Sequence, residues 1–432
     1  MSRRPAPGRS GHARLTAGSL EQELLLRCAH ITLTPRQARR VRHLVRDDLD
    51  WDWLLATARR HGVLPLLQRS LSAAGCGAIP PLVDQQLRAY CAALGLRNRY
   101  LTQELVEVID ELERRGIRVM PFKGPVLAAA VYGGLELRPF GDLDVLVTPR
   151  DVVAASEALV ARGYRLDPPF SRPAQVAYVA GLTGPRLADY LRSRSEHHFV
   201  RAADRVLVDL HVALADPFIR CPLPAEVLLA RSAPLDLGGR TLRVPVAEDL
   251  LLLLAVNGAK DRWERLQRLC DVAELVRARP DLDWGLARRR ADRLGVRRML
   301  EVTLWLVEQV LETGPPVPQA LRRIPDSATL RLAREATERL FTAGEHRPRL
   351  SLAYSWAMLR ARERLRDRAW YGLHLVLTPG VSDWMLVPLP PRWRALYWVI
   401  RPMRLATELV SWLSRAAAAA GPRSRPGHPR SS

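Results

Sequence analysis

An aspartate pair set inside an apolar strand constrains this chain more than any other feature. Asp142 and Asp144 stand in the run Gly141-Asp142-Leu143-Asp144-Val145-Leu146-Val147, whose aliphatic and β-branched residues predict a strand over Leu143 to Val147. Alternation puts both carboxylates on one face and turns Leu143, Val145 and Val147 toward a core. Two like charges aimed at one spot repel each other, so a sheet that holds them there needs a compensating cation. A hard divalent ion with oxygen ligands, most simply Mg2+, meets that need. It is also the ion that accompanies a nucleoside triphosphate.

A third carboxylate follows the same logic. In Val206-Leu207-Val208-Asp209-Leu210-His211, Leu207, Asp209 and His211 share one face and Val206, Val208 and Leu210 the other. Neighbouring strands lie only about 4.8 Å apart, so Asp209 can complete a metal-binding triad with Asp142 and Asp144. The chemistry that suits such a triad is phosphoryl-type transfer, with Asp209 activating an attacking hydroxyl either as a base or through the metal. Upstream, Lys123-Gly124 forms a turn ahead of a helix predicted over Pro125 to Tyr132. Gly124 would let the backbone approach phosphates, and the amides opening the helix would donate to them. Lys123 and Arg138 are the candidate countercharges, and spacing does not choose between them. His197 and His198 sit close to these carboxylates and read either as structural histidines or as ligands; His211, on the face of Asp209, reads as structural or as orienting a carboxylate or nucleotide.

The surroundings predict an α+β protein, a small mixed sheet with flanking helical regions. Helical periodicity runs through Trp51 to Arg60, Leu64 to Ala74, Pro81 to Leu94 and Arg97 to Arg115, giving a helical region over 16–115. The order strand, helix, strand, helix, strand, strand marks a core over 116–245. A looser stretch from Asp167 to Ser195 reads as a lid or substrate loop. A helical bundle over 246–345 follows, with proline-separated helices from Pro316 to Leu340, then a basic, Trp-containing helical region over 346–415. Residues 1–15 and 416–432 read as disordered. Cys28, Cys76, Cys91, Cys221 and Cys270 show no zinc or CxxC spacing, and with no run of membrane-spanning length this predicts a cytoplasmic protein.

Taken together, Lys123-Gly124, Tyr132, Arg138, Gly141 to Val147 and Val208-Asp209-Leu210-His211 resemble the uncharacterised nucleotidyltransferase family of the polymerase-beta-like superfamily. Trp53, His61-Gly62-Val63 and Pro65-Leu66-Leu67 are similar to its N-terminal helical region. Gly258-Ala259-Lys260, Trp263, Arg265-Leu266 and Asp271-Val272-Ala273 resemble its downstream signature, and Arg401-Pro402-Met403-Arg404 resembles its C-terminal segment. The resemblance thus spans about residues 40 to 410. It implies a mixed sheet with two helices against it and a flanking helical domain. It also implies metal binding by Asp142, Asp144 and Asp209, and transfer of a nucleoside monophosphate to an acceptor the family does not specify. Lys123-Gly124 replaces the superfamily's Gly-Ser turn, and Asn257 and Asp261 stand where the family often has histidine.

The formal charge of +21 favours an anionic partner and supports a second reading. In that reading the chain is a non-catalytic nucleic-acid or membrane-surface binder, using Arg392, Trp393, Arg394, Tyr397, Trp398, Arg401 and Arg404 as a basic amphipathic face. A third is a degenerate enzyme kept for its fold. The intact three-carboxylate pattern counts against that third reading, and the enzymatic one requires the three aspartates to meet.

Overall fold

Both aspartate-bearing segments alternate as their sequences require, and they pair directly. A computed structural model describes residues 18–46, 48–170, 172–214, 219, 221, 223–311, 325–342, 352–389 and 391–419. Seven strands are found there: β1 (Val119–Pro121), β2 (Asp142–Val147), β3 (Arg165–Leu166), β4 (Glu196–Arg201), β5 (Val206–His211), β6 (Ser232–Leu237) and β7 (Arg240–Pro245). The first five form one sheet in the order β1-β2-β5-β4-β3, and β6 and β7 form a separate hairpin. Only the β2–β5 pairing is parallel; the others are antiparallel. The protein is therefore α+β, with a small mixed sheet among many helices.

The two faces of the sheet have different fates. Leu143, Val145, Val147, Val206, Val208 and Leu210 are buried in a core shared with the C-terminal half of the Pro81–Arg114 helix. The opposite face begins polar, at Asp142, Asp144, Asp209 and His211. It ends apolar at Leu146, which joins Met120 and Phe122 in a second core built from the helices on either side of the sheet in sequence. The carboxylates thus share a sheet face with the second core.

The loop leading into β2 is clamped. Asn98 Nδ2 donates to the carbonyls of Leu135 (2.6 Å) and Arg138 (3.0 Å), and Gln267 Nε2 donates to that of Pro139 at 2.8 Å. These bonds fix where Asp142 enters the sheet.

Several elements differ from the sequence reading. Pro81–Arg114 is one helix of 34 residues, not two separated at Gly95. Gly95 is buried, and a helical glycine costs only about 1 kcal/mol, less than the apolar stripes on both sides recover. The stretch read as a lid contains the Pro173–Ala180 and Gly184–Ser193 helices. The β6–β7 hairpin is an addition to the predicted elements; its Gly238-Gly239 turn, with both φ angles positive, is a standard hairpin signal. The last helix, Tyr397–Ala419, runs into the alanine tract, as alanine's helix propensity allows. Of the proline-separated helices, Ser327–Leu340 is present, capped by Asp326. Residues 1–15, 312–324 and those from 420 onward lie outside the described residues.

Candidate active site

Three strands bring six ionisable side chains onto one face. Asp144 is the register partner of Asp209 across β2 and β5. Asp209 is in turn opposite His198, and His211 opposite Glu196, across β5 and β4. The period of two in Asp142-x-Asp144, Asp209-x-His211 and Glu196-x-His198 makes this a small grid of acids and imidazoles. Two ammonium groups enter it, Lys123 from the turn after β1 and Lys260 from the end of the Ala247–Lys260 helix.

The contacts are short. Lys123 Nζ lies 2.7 Å from Asp144 Oδ1, and His211 Nε2 lies 2.9 Å from the same oxygen. His198 Nδ1 is 2.6 Å from Asp209 Oδ1. Glu196 stands between three cationic or ionisable groups, 3.6 Å from Lys260 Nζ, 3.8 Å from His198 Nε2 and 3.9 Å from His211 Nδ1.

The electrostatics divide the carboxylates. Burial pushes the Asp142 carboxyl up to about 6, and repulsion from Asp144 and Asp209 acts in the same direction. Burial would raise Asp144 too, but the Lys123 charge and the His211 hydrogen bond hold it well below the ordinary carboxylate range. Glu196 likewise overcomes burial through His211, Lys260, Lys123 and His198, and falls to about 2. For Lys123, burial opposes the charge but Asp144 outweighs it, so its pKa is raised. Burial opposes protonation of His198 as well; its hydrogen bond to Asp209 prevails, and its pKa is also raised.

This arrangement suits a divalent cation on grounds of both donors and charge. Asp144, Asp209 and His211 place ligand atoms within 4.8 Å of one another, as do Glu196, His198 and Asp209. Four carboxylates face two ammonium groups; protonation of His198, which Asp209 favours, and the nearby Arg268 offset part of the remaining negative charge, and a cation would offset the rest.

The predicted residues fare differently. Asp144 and Asp209 meet as expected, but the third member of their ligand set is His211. Asp142 stands opposite Leu207 and enters neither ligand set, although it is close enough to repel both aspartates. Lys123 is in the array, directed at a carboxylate. Gly124 has φ +47°, and a Cβ there would lie 3.2 Å from the Asp142 carbonyl oxygen; glycine lets the turn close onto β2. The first two positions of the helix it precedes offer no free amide. Pro125–Ala130 has six residues and opens on proline, and the Val126 N–H donates to the Lys123 carbonyl at 2.9 Å.

Arg138 corrects the expectation of a phosphate countercharge. It is 3% exposed, and its Nε and Nη2 donate to the two oxygens of Asp271 at 2.7 and 2.8 Å. A guanidinium held by both donors of its fork against one carboxylate is a structural tie. His197 faces the opposite side of β4 from His198, with Nε2 2.7 Å from the Leu191 carbonyl, and burial pulls its pKa down to about 4. Asp261 receives Arg268 at 2.7 Å.

Two members of the array, Glu196 and Lys260, are not among the predicted site residues, although Lys260 stands in the family-like downstream segment. Both had a signal. Glu196-x-His198 repeats the period of Asp209-x-His211 on the adjoining strand. Lys260 is one of only two lysines among 66 basic residues, Lys123 being the other.

The model of a family described as uncharacterised nucleotidyltransferases matches residues 47–312, well over half of the chain. The match includes every residue of the array. It ends before Arg401-Pro402-Met403-Arg404, where Arg401 and Arg404 both pair with Asp383. No curated protein matches the chain. By its matched span and its strand-borne acidic array, this chain belongs to the uncharacterised nucleotidyltransferase family.

Proposed function

We propose that this protein is a metal-dependent nucleotidyltransferase. It moves a nucleoside monophosphate from a nucleoside triphosphate to an acceptor hydroxyl or phosphate. The new bond joins the acceptor oxygen to the α-phosphorus, the α–β bridging P–O bond breaks, and pyrophosphate leaves with its electron pair.

Lysine usage carries this reading. Arginine fills 64 of the 66 basic positions, and the two lysines, Lys123 and Lys260, both converge on the carboxylate array. A guanidinium is a broad, planar fork, whereas an ammonium is a compact point charge with three rotatable donors. A site that holds lysine where the rest of the chain uses arginine requires the compact group. Lysine is also the customary point-charge partner of a triphosphate.

Asp144 and Asp209 would hold the ion with His211, and Asp142 would add a donor once ionised. Mg2+ is the ion proposed, and the imidazole in the set also suits Mn2+. When bound, the ion neutralises triphosphate charge and lowers the pKa of the attacking hydroxyl. Asp209, oriented by His198, is placed to receive the acceptor proton. Lys260, tethered only at 3.6 Å to Glu196, is placed to swing to a phosphate. Lys123 balances Asp144 until the ion arrives. The five free cysteines support a reaction in the reducing cytoplasm.

Label transfer tests the proposal. Incubated with α-labelled triphosphates, Mg2+ and cell extract, the wild-type protein is expected to pass label to an acceptor and release pyrophosphate, and Asp144→Asn is expected to do neither. Folded wild-type protein that transfers nothing from any of the common triphosphates, with either Mg2+ or Mn2+, contradicts it.

A further inference from the structure

Large apolar side chains are unevenly distributed over the surface. Among the described residues, eleven of the eighteen that face solvent lie between Trp356 and Met403. The segment is nonetheless firmly attached. Val381 is buried in the core beneath the sheet and Trp384 packs against it. Gln175 Nε2 donates to Ser382 Oγ at 2.7 Å, and Met358 and Tyr371 enter the helical core. One side of the segment is anchored and the other is bare.

The bare side has helical order. On the Leu365–Leu377 helix, Leu365, Ala369, Leu373 and Val376 form an exposed stripe at helical spacing, while Asp367 and Tyr371 point inward. The adjoining Tyr397–Ala419 helix is tied to it by Arg401 Nη2, which donates to the Leu375 carbonyl at 2.9 Å. It exposes Trp398, Val399 and Met403 while Arg401 and Arg404 turn in to Asp383. Among the described side chains, both helices present apolar residues to solvent, whereas in the ordinary amphipathic pattern the apolar stripe faces the core. A concentration of this kind marks an interaction surface, whereas single exposed apolar residues do not.

Its chemistry selects the occupant. Trp356, Trp370, Trp393 and Trp398 are side chains of the sort that settle at the headgroup level of a bilayer. The leucines, valines and methionine beside them match acyl chains. Residues 352–419 carry ten arginines against four acidic residues. Asp367, Asp383 and Arg362 are buried, and Arg401 and Arg404 turn in to Asp383; of the described side chains that remain, Arg364, Arg366 and Arg368 outnumber Glu363 and Glu408, so the outward charge is positive and attracts anionic headgroups. No helix among the described residues is long and apolar enough to cross a membrane.

We infer that the Leu365–Leu377 helix and the start of the Tyr397–Ala419 helix form a peripheral docking surface for an anionic lipid bilayer, inserting Leu365, Leu373 and Val376 with Trp398, Val399 and Met403 into one leaflet. The inference stands independently of the catalytic reading.

Sedimentation with vesicles tests it on the full chain. The protein is expected to pellet with phosphatidylcholine vesicles containing phosphatidylglycerol and far less with phosphatidylcholine alone. Leu373→Glu and Trp398→Glu, both at exposed positions, are each expected to lower the bound fraction roughly tenfold or more. Leu82→Glu, at an equally exposed site on the Pro81–Arg114 helix, is expected to leave it unchanged. Brominated acyl chains should quench the tryptophan fluorescence of the wild-type protein, a readout that needs no variant. Protein that stays in the supernatant with both vesicles overturns the inference. So does binding to single-stranded RNA alone, or a dimer in sedimentation velocity that the two variants abolish without any vesicle effect.

Discussion

Two buried clusters of charge lie close together in this protein and have opposite designs. In one, Asp271 accepts Arg138 through both of its oxygens and Tyr132 Oη at 2.8 Å. One negative charge meets one positive charge, all three side chains are sealed, and the guanidinium stays charged, its pKa raised by Asp271 against the cost of burial. In the other, Asp142, Asp144, Asp209 and Glu196 face Lys123 and Lys260, and the cluster stays partly open, with His198 about a third exposed. The balanced cluster joins the β2 entry loop to the downstream helices and requires nothing further. The unbalanced one holds the ligand atoms of a candidate metal cluster. Charge balance and access therefore separate structural from functional polar clusters better than residue type does, since both are built from aspartate and a base.

The largest expected effect tests the balanced side. Asp271→Asn leaves a buried guanidinium without its counterion and should destabilise the protein by about 3–5 kcal/mol, read as a shift in the urea midpoint. Metal affinity of the folded fraction should be nearly unchanged. The double variant Arg138→Met, Asp271→Leu should recover much of the stability. Loss of metal binding without destabilisation would erase the distinction between the clusters.

A smaller effect of opposite sign tests the unbalanced side. Asp142 is raised from 3.8 to about 6, so the folded protein holds this proton more tightly than the unfolded chain. Stability of the metal-free protein should therefore fall as pH rises through that interval and level off above it. Glu196 works in the opposite direction at lower pH. Lowered from 4.5 to about 2, it contributes stability that is present above 4.5 and lost as pH falls toward 2. Asp142→Asn should remove the first slope and raise metal-free stability near neutral pH by about 1 kcal/mol, while weakening metal binding. Unfolding curves at about pH 4 and about pH 7 decide it, and a variant less stable than wild type at neutral pH would show that the repulsion is already relieved.

Much of this was legible because a strand has a period of two. Asp142, Asp144, Asp209 and His211 announced their shared face through their apolar alternates, and the helices on either side through theirs. What stayed hidden depends on distant partners. Arg138 looked available for phosphate because nothing local places Asp271, 133 residues away, against it. Glu196 lies on the strand beyond Asp209, so its place in the array needed the β4–β5 register. Gly95 resembles a helix end until the Glu136 side chain is seen packed near it. Lys260 was different in kind, since its signal was its rarity among arginines, which depends on the whole chain.

The most direct test is calorimetric titration of Mn2+ or Mg2+ into the protein with a non-hydrolysable nucleoside triphosphate, wild type beside Asp144→Asn. Wild type is expected to bind the ion saturably, and the variant to bind it roughly a hundredfold or more weakly while remaining folded. Equal affinity in the two proteins would contradict the assignment of this acidic array as a metal site.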